Sequence, residues 1–320
     1  MKKLPLVTVI LINYNHSKDT IKCVESVLKS EYNNFHVFII DNGSEEQDYK
    51  KLIEIYENNE IVSIIHLTKN LGYVGGVNKG LEEAAKIEPD FFLIMNNDTI
   101  IDKDAMHALV ETAEKYGGNA IVSGKVYNMD KPDTLQYIGQ WCRNRKKIDF
   151  PPYVKDGQEK DLGQYDNEME MAMLDDIYWL LPNKVFRDVG YYSNYFFLYG
   201  EQNDYALRAV KKGYKLIYNP NAKIWHYHHL TTADGKKESP SIDYWKAYAL
   251  LMLQYLHCKR KYFLIFYFKN LIKLLATPLF CKSQVKNLKP QLFAYIFFTK
   301  WIFNKTPNDG FNPFIKKVRQ

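Results

Sequence analysis

Short apolar runs alternate with amphipathic stretches over the first hundred residues of the chain. Four runs rich in Val, Ile and Phe predict buried strands of a parallel sheet: residues 6–12, 36–40, 61–66 and 91–95. Helices are predicted between and after these runs, over residues 18–30, 46–57 and 75–86. Strands that alternate with helices in this way indicate βαβ units with right-handed crossovers, and therefore an α/β fold.

The pattern becomes less regular in the middle of the chain. Residues 119–180 show no sustained period, and the segment 128–160, rich in Pro, Gly and charge, predicts loops or a small sheet. A helix is predicted over residues 201–212, where Gly213 ends it, and a short strand follows over residues 215–218.

Charge is unevenly distributed along the 320 residues. From His257 to Gln320 there are 13 Lys and Arg but a single acid, Asp309, so this segment carries +12. The total is +6, and the preceding 256 residues therefore carry −6. The length allows one large domain or one domain with an extension, and the asymmetry predicts a body plus a basic tail that meets an anionic surface.

Two features bear on the compartment of the protein. Lys2 and Lys3 precede an apolar run, but the run is short and lacks a small-residue cleavage site, so we interpret it as a strand and not as a signal peptide. The cysteines are widely spaced without a CxxC pair, which favours reduced thiols in the cytosol over a disulfide framework or a zinc site. They are Cys23, Cys142, Cys258 and Cys281.

Polar or Gly-rich motifs stand at or near the ends of the strand-like runs, where open α/β sheets bind ligands. In chain order the motifs are Asn13-Tyr14-Asn15, Asp41-Asn42-Gly43-Ser44, the segment 70–80, Asn96-Asn97-Asp98, and Glu201-Gln202-Asn203-Asp204 followed by His226. In this order the set resembles the inverting family 2 glycosyltransferases of the GT-A fold, especially the branch that contains bacterial rhamnosyltransferases. The resemblance covers roughly residues 5–232.

The resemblance implies a GT-A fold, in which helices flank a mixed, mainly parallel sheet. It implies a catalytic domain over residues 1–240, with a donor half at about 1–118 and an acceptor half at about 119–240. The remaining segment, residues 241–320, is predicted to form a basic, aromatic and helical C-terminal extension.

The resemblance also implies that the first two motifs bind the nucleotide sugar. The Asp41 carboxylate would accept a hydrogen bond from N3–H of uracil or thymine, which is the role of its counterpart in the family. Asp-Asn-Gly-Ser is also a common turn sequence, so Asp41 by itself could be only a turn residue. The other residues assigned to this site are Ile12, Asn13, Tyr14, Asn42 and Ser44.

Four glycines lie in the segment 70–80. Glycine lets the backbone approach a ligand closely and leaves N–H groups facing phosphate near a helix N-terminus. The segment does not match GxGxxG or a Walker loop, but it matches the Asn-x-Gly-aromatic-small-Gly-x-x-Asn-x-Gly pattern of the related branch. Glycines that only pack a helix are the alternative. The residues predicted to bind here are Asn70, Gly72, Gly75, Gly76 and Asn78.

Asn96, Asn97 and Asp98 occupy the place of the DXD motif in the related family. A divalent cation that bridges two phosphates needs oxygen ligands, and Asp98 supplies one, while Asn96 could contact the ribose or the sugar. An equivalent of His226 ligates the metal in related enzymes. The resemblance therefore implies a Mg²⁺ or Mn²⁺ site at Asp98 and His226. Two further histidines follow His226 closely, which leaves a metal-free basic patch as the alternative.

An inverting transferase must remove a proton from the acceptor hydroxyl as it attacks the anomeric carbon. The family usually has Glu-Asp-x-Asp in this region, with the second residue as the base, but this chain has Gln202, whose amide cannot take the proton. Glu201 is our first choice for the base, followed by Asp204 and Asp176, with Asp175 as a further acid. Acids in a first helical turn also stabilise the helix dipole, which is the alternative role.

Two apolar, aromatic segments lie in the C-terminal extension, at residues 262–280 and 292–303. Lysines interrupt the first and the second is too short, so neither is typical of a transmembrane span. Aromatic residues interleaved with Lys favour helices in the membrane interface. Packing on the core, or against a second copy in a homodimer, is the alternative. Binding to nucleic acid is not expected, because no recognisable motif accompanies the charge.

These features predict a metal-dependent inverting transferase that moves a sugar from a dTDP- or UDP-sugar to a glycan or lipid-linked glycan acceptor in surface polysaccharide assembly. We expect it in the cytoplasm, peripheral on the inner face of the cell membrane. A sugar-nucleotidyltransferase is an alternative, but Asn13-Tyr14-Asn15-His16 is not the Gly-rich basic loop that such an enzyme needs after its first strand. Gln202 leaves a second alternative, a catalytically weak nucleotide-sugar binding protein.

Overall fold

The computed structural model describes residues 4–227, 239–280 and 288–315, without the side chains of 278–280. His228, His229 and Cys281 lie outside the described residues. The strands are β1 (Val7–Asn13), β2 (Phe35–Asp41), β3 (Val62–His66), β4 (Phe91–Met95), β5 (Thr99–Ile101), β6 (Ala120–Asn128), β7 (Lys131–Tyr137), β8 (Glu159–Lys160), β9 (Met169–Glu170), β10 (Tyr178–Pro182) and β11 (Lys215–His226). The helices are α1 (Ser17–Leu28), α2 (Glu46–Tyr56), α3 (Gly72–Ala85), α4 (Ala105–Lys115), α5 (Asn183–Val189), α6 (Glu201–Lys211), α7 (Pro240–His257), α8 (Arg260–Phe280) and α9 (Leu288–Asn304).

The four apolar runs of the sequence form the parallel half of the sheet, in the spatial order β3-β2-β1-β4. Alternate side chains of β1 enter two apolar layers. Ile10 faces the layer that contains Val77 of α3, and Leu11 faces the layer that contains Val24 of α1. Both sides of these strands are therefore covered, which explains why the runs are continuously apolar.

The second half of the sheet has mixed directions and continues in the order β4-β10-β6-β11-β5. β10 runs antiparallel to β4 and to β6, whereas β11 is parallel to β6. β5 lies antiparallel to β11 at the edge. Helices flank this mixed, mostly parallel sheet, as the GT-A fold predicts.

The prediction that residues 119–180 are irregular was wrong, because they contain the central strands β6 and β10. Polar residues in β6 obscured its pattern. Lys125 is 3% exposed, since its ammonium pairs with Asp161 (2.7 Å) and Asp166 (2.6 Å). Gly124 is needed because a Cβ there would lie 2.2 Å from a backbone oxygen of Ala222. β11 likewise extends beyond the predicted strand at 215–218.

The C-terminal helices continue the core of the body. Trp245 of α7 stacks on Phe197 with the ring centroids 5.2 Å apart, and Trp301 of α9 contacts Tyr195 at 4.9 Å. One apolar cluster includes buried residues of α3, β10, α6, α7 and α9. Within the described ranges, no helix combines the length and the apolar character that crossing a bilayer requires.

Candidate active site

The first two motifs meet at one edge of the sheet because β1 and β2 are parallel and end with Asn13 beside Asp41. The Asp41 side chain is fully buried. One carboxylate oxygen accepts a hydrogen bond from Asn13 Nδ2 (2.8 Å), and the other lies 2.8 Å from Nδ1 of His66. His66 ends β3, and its side chain is 38% exposed. The Asp41–His66 pair therefore connects a buried carboxylate to the surface.

Asn13 holds the two motifs together from the inside. Its Oδ1 accepts a hydrogen bond from Thr20 Oγ1 (2.8 Å). Its Nδ2 lies within 3.1 Å of three acceptors: Asp41 Oδ1, Ser44 Oγ and Asp48 Oδ2. The Asn13 side chain is thus fully engaged within the protein. Ile12 is partly buried, whereas Tyr14 is 40% exposed and is the residue of this predicted set that solvent reaches most.

Asn42 clamps the glycine-rich segment. Its Nδ2 donates to Asn70 Oδ1 (3.2 Å) and to the Gly72 carbonyl oxygen (3.0 Å), while its Oδ1 accepts from Leu71 N (2.9 Å). Gly43, directly after Asn42, makes the turn with φ +76°, and a Cβ there would lie 2.5 Å from the backbone of Lys69. The turn chemistry of this motif is therefore real, and it positions the loop at residues 70–72.

Two glycines of α3, Gly76 and Gly80, pack against β1. α3 begins at Gly72, earlier than predicted. A Cβ on Gly76 would lie 2.9 Å from Ile12 Cγ2, and Gly75 precedes it in the same turn. Asn78 exchanges two hydrogen bonds of 2.9 Å with the backbone of Tyr192. These contacts support the packing alternative for the middle of this segment and leave its N-terminal turn at the site.

The structure places Asp98 and His226 side by side. Asp98 follows β4, His226 ends β11, and Asp98 Oδ1 lies 3.2 Å from His226 Nε2. The other ring nitrogen, Nδ1, lies 3.1 Å from Gln136 Oε1. An amide oxygen only accepts, so Nδ1 carries the proton in this contact and Nε2 is directed at Asp98. Asn97 Nδ2 donates to Thr20 Oγ1 (2.8 Å), and this hydrogen bond fixes the loop that carries Asp98.

The polar atoms of this pair fit a divalent cation. Asp98 is 2% exposed, yet neither of its oxygens accepts a hydrogen bond from a described residue. Burying a carboxylate without donors is costly, and a cation bound by this oxygen and an imidazole nitrogen would offset that cost. Over the described ranges, no group of three or more His, Cys, Asp or Glu side chains is arranged to hold a metal.

Asp176 and Glu201 form a buried acidic pair, each 4% exposed. Asp176 Oδ2 accepts a hydrogen bond from the Tyr192 hydroxyl (3.0 Å). Burial and the charge of Asp175 raise the pKa of Asp176 to about 8. Burial and the charge of Asp176 raise the pKa of Glu201 well above its usual range. Their surroundings therefore favour the neutral acid form of both side chains, which opposes a role as a base.

Asp175 and Gln202 face each other beside this pair. Gln202 Nε2 donates to Asp175 Oδ2 (3.3 Å), and Ile177 N donates to Asp175 Oδ1 (3.1 Å). Both side chains are partly exposed. Asn96 N donates to the Ile177 carbonyl oxygen (2.8 Å), which ties this segment to the Asp98 loop. Burial raises the pKa of Asp175, while the hydrogen bonds from Gln202 and from Ile177 N oppose that rise.

Asp204 is engaged away from this group. It is 2% exposed, one oxygen lies 2.7 Å from His257 Nε2, and the other accepts from Arg208 Nε (2.8 Å). Burial alone would raise its pKa, but these two partners hold the pKa of Asp204 below its usual range. Because both oxygens are paired, we assign Asp204 to the junction of α6 with α7 and not to proton transfer.

Four contact residues of the site were not identified from the sequence: His66, Gln136, Tyr192 and His257. His66 stands at the end of β3, the same strand-end position that singled out Asp41, so the sheet order could have suggested it. Gln136 lies in a stretch predicted as irregular, and no local pattern marks Tyr192 or His257. Only the tertiary contacts reveal their roles.

Comparison with known proteins places the geometry in context. Glycosyl transferase family 2 matches residues 8–174, just over half of the chain. The poly-beta-1,6-N-acetyl-D-glucosamine synthase of Staphylococcus aureus is 23% identical over 225 residues, which are 68% of this chain and 49% of that protein. Glycosyltransferase GlyG of Streptococcus pneumoniae is 23% identical over 133 residues, 42% of this chain and 43% of that protein. The chain spans about half the length of the curated relatives it matches.

Two solved structures share the fold. The crystal structure of GalNAc-T7 with UDP, GalNAc and Mn²⁺ aligns with a TM-score of 0.66 at 14% identity, covering 95% of this chain and 58% of that one. The mannosyltransferase PcManGT from Pyrobaculum calidifontis, in complex with GDP-Man and Mn²⁺, aligns with a TM-score of 0.54 at 13% identity, covering 93% and 76%. At these identities the likeness establishes the GT-A fold alone.

Proposed function

This chain belongs to glycosyltransferase family 2, and we propose that it transfers a sugar from a UDP- or dTDP-sugar to a glycan acceptor, with inversion at the anomeric carbon. The observation that carries the proposal is the buried Asp98–His226 pair, at the sheet edge where β1, β2 and β4 end. Ligands of open α/β sheets bind at that edge. The motif resemblance to the rhamnosyltransferase branch adds deoxyhexose donors to the range to be tested.

In this proposal Asp98 and His226 hold a Mg²⁺ or Mn²⁺ ion. The unsatisfied oxygens of Asp98 support this assignment, and both structural neighbours are described with Mn²⁺. When bound, such an ion neutralises charge on a departing diphosphate. Gln136 contributes by fixing the ring of His226 with Nε2 toward Asp98.

The nucleotide would lie over the ends of β1 and β2. Asp41 supplies the buried hydrogen-bond acceptor for the edge of the base. His66 links this carboxyl group to the surface, and Tyr14 offers an exposed ring. Asn70 and the first turn of α3 would face the sugar diphosphate, because a helix N-terminus attracts anions. Amide side chains hold the loops that carry these groups: Asn13, Asn42 and Asn78.

The acceptor is proposed to be a glycan or a lipid-linked glycan of surface polysaccharide assembly. The Staphylococcus aureus relative is named for the synthesis of an N-acetyl-D-glucosamine polymer, which supports a glycan acceptor. A lipid-linked acceptor would be reached at a membrane, and the +12 charge of residues 257–320 supports such a location.

The exposed face of α8 supports peripheral attachment to an anionic membrane, which we propose is the cytoplasmic leaflet. Four apolar side chains, each more than half exposed, follow one side of the helix: Ile265, Phe268, Ile272 and Leu275. Three exposed cations accompany them: Lys261, Lys269 and Lys273. Apolar side chains next to lysines fit the interface of a bilayer with anionic headgroups.

One observation favours a second function, that of a nucleotide-sugar binding protein with little transfer. Gln202 stands where the family usually has its base, and an amide does not accept the proton. Turnover distinguishes the two functions, because a binding protein would hold the donor without cleaving it.

The proposed function is tested by incubating the full chain with a panel of UDP- and dTDP-sugars, including UDP-N-acetylglucosamine and dTDP-rhamnose, with Mn²⁺, with Mg²⁺ or with EDTA. We expect metal-dependent release of the nucleoside diphosphate from at least one donor. Binding without release would favour the binding protein. If the chain neither binds nor cleaves any donor of the panel, both functions are contradicted.

The metal assignment predicts the behaviour of Asp98→Asn, which keeps the side-chain shape but removes the charge. In calorimetry the parent chain should bind UDP roughly tenfold or more tightly with Mn²⁺ than with EDTA, since about 1.4 kcal/mol corresponds to tenfold. Asp98→Asn should show equal, weak affinity in both. The exposed Asp130→Asn should behave like the parent. UDP affinity of the parent chain that EDTA leaves unchanged would rule out the assignment.

A further inference from the structure

The base position of this chain lacks a base, and three carboxyl groups surround it. Gln202 occupies the second position of α6, with Glu201 before it and the pair Asp175 and Asp176 nearby. A general base must be ionised, and it must face the acceptor hydroxyl. These two requirements separate the three acids.

Asp176 and Glu201 meet neither requirement. Each is 4% exposed, so the protein covers both carboxyl groups. The Tyr192 hydroxyl donates a hydrogen bond to Asp176 Oδ2 (3.0 Å). Burial and the charge of Asp175 favour the neutral form of Asp176, and burial and the charge of Asp176 favour the neutral form of Glu201. Their contacts therefore support a role in holding the segment, not in proton transfer.

Asp175 fits these requirements better than the other two acids. Burial raises its pKa, but hydrogen bonds from Gln202 Nε2 and Ile177 N favour its charged form. Its side chain is partly exposed, and each oxygen accepts only one hydrogen bond from the described residues, from Ile177 N and from Gln202 Nε2. A carboxylate oxygen has two lone pairs, so each retains the capacity to accept another proton donor. Asn96 N donates a hydrogen bond to the Ile177 carbonyl oxygen, which brings Asp175 to the side of the Asp98 loop. The unsatisfied oxygens of Asp98 mark that side as the place of a ligand.

We propose that Asp175 is the general base of this chain and that Gln202 positions its carboxylate through the Nε2–Oδ2 hydrogen bond. The inference rests on the proposed function. The acceptor oxygen bonds to the anomeric carbon while its proton passes to Asp175. The bond between the anomeric carbon and the diphosphate oxygen breaks, and its electron pair leaves with the diphosphate. Asp175 then returns its proton to solvent.

The experiment compares Asp175→Asn with the parent chain on the donor of the panel that the parent hydrolyses fastest, with water as the acceptor. We expect kcat to fall by about 10² to 10⁴, the usual contribution of a general base. The affinity for UDP with Mn²⁺ should change less than about threefold, because the base acts on the acceptor. Asp130→Asn serves as the matched control and should keep the parent kcat.

A carboxylate introduced in place of Gln202 gives a sharper test. The double variant Asp175→Asn with Gln202→Glu returns an acid to the partner position, and it should recover about tenfold or more of the lost kcat. If Asp175→Asn fails to fold, Gln202→Leu tests the same contact, because it removes only the donor to Asp175. It should lower kcat by about tenfold with unchanged UDP affinity.

The outcomes separate the inference from the proposed function. A parent chain that binds and cleaves no donor overturns the proposed function, and the base assignment with it. A parent chain that turns over while Asp175→Asn keeps its kcat overturns the base assignment alone. A larger loss in Glu201→Gln than in Asp175→Asn, with both folded, would instead return the role to Glu201.

Discussion

Two buried carboxyl groups of the site differ in their surroundings. Asp41 is surrounded by its own partners, since Asn13 donates to one oxygen and His66 lies 2.8 Å from the other. Asp98 has His226 beside it but accepts no hydrogen bond from the described residues. A buried charge needs compensation, and for Asp98 the proposed cation would supply it. Asp41 already has partners for both oxygens within the protein.

Asp176 predicts a pH dependence of stability. Burial and the charge of Asp175 raise its pKa from 3.8 to about 8, and Glu201, Tyr73 and Tyr192 also face it. Between these values the native state keeps a proton that the unfolded chain has lost. The contribution of Asp176 to the free energy of unfolding is therefore complete below about pH 4 and is lost as the pH rises to about 8.

Asp176→Asn cannot ionise and should escape this loss. Its free energy of unfolding relative to the parent chain should rise with pH across this window, by up to about 1.4 kcal/mol per pH unit. Urea denaturation at pH 5 and pH 8 measures the difference. The exposed Asp130→Asn should keep the pH dependence of the parent. A difference between Asp176→Asn and the parent that is equal at both pH values would refute the linkage.

At the scale of elements, the sequence predicted those strands whose neighbours on both sides are apolar. β1, β2 and β4 have this environment and are rich in Val, Ile, Leu and Phe. β6 was missed because Lys125 sits in a buried position that only distant partners make tolerable. The site follows the same rule. Strand-end residues such as Asp98 were predictable, whereas the Gln202–Asp175 contact joins elements that local patterns do not relate.

The ion pairs of Lys125 with Asp161 and Asp166 predict a large loss of stability when the lysine is replaced. Lys125→Met keeps the length of the side chain but leaves Asp161 and Asp166 without their cation, and Asp161 is 13% exposed. Removing one partner of a buried ion pair costs about 3–5 kcal/mol, so urea denaturation should show a loss of this size. Lys50→Met is the matched control, because its partner Glu46 is exposed. It should leave the free energy of unfolding unchanged. Equal effects of the two variants would contradict this account.

For the whole molecule, the face of α8 predicts binding to anionic vesicles. Reversing two of its charges in Lys269→Glu/Lys273→Glu should weaken sedimentation of the full chain with phosphatidylglycerol vesicles, since each lysine near such a surface contributes about 1 kcal/mol. High salt should weaken binding of the parent chain as well. The control is Lys50→Glu/Lys51→Glu, which reverses two exposed lysines of α2 and should bind like the parent.

Absence of vesicle binding by the parent chain at low salt would contradict the membrane proposal. A second copy would then be the occupant to test. Analytical ultracentrifugation would show a dimer in the parent chain and a monomer in a variant with Phe268→Ser and Ile272→Ser, because these side chains form the exposed apolar stripe. A parent chain that is monomeric and does not bind vesicles would leave α8 without a role in attachment.

The contact between Asp204 and His257 limits how such chains can be recombined. His257 ends α7 and lies 2.7 Å from a carboxylate in the first turns of α6, two residues after Gln202. A chimera that exchanges the C-terminal helices for those of another transferase, in order to redirect the protein, would remove this histidine. The grafted enzyme would keep a buried Asp204 that retains only Arg208 as its partner. Grafting the tail therefore also requires transplanting a donor for Asp204, or replacing Asp204 itself.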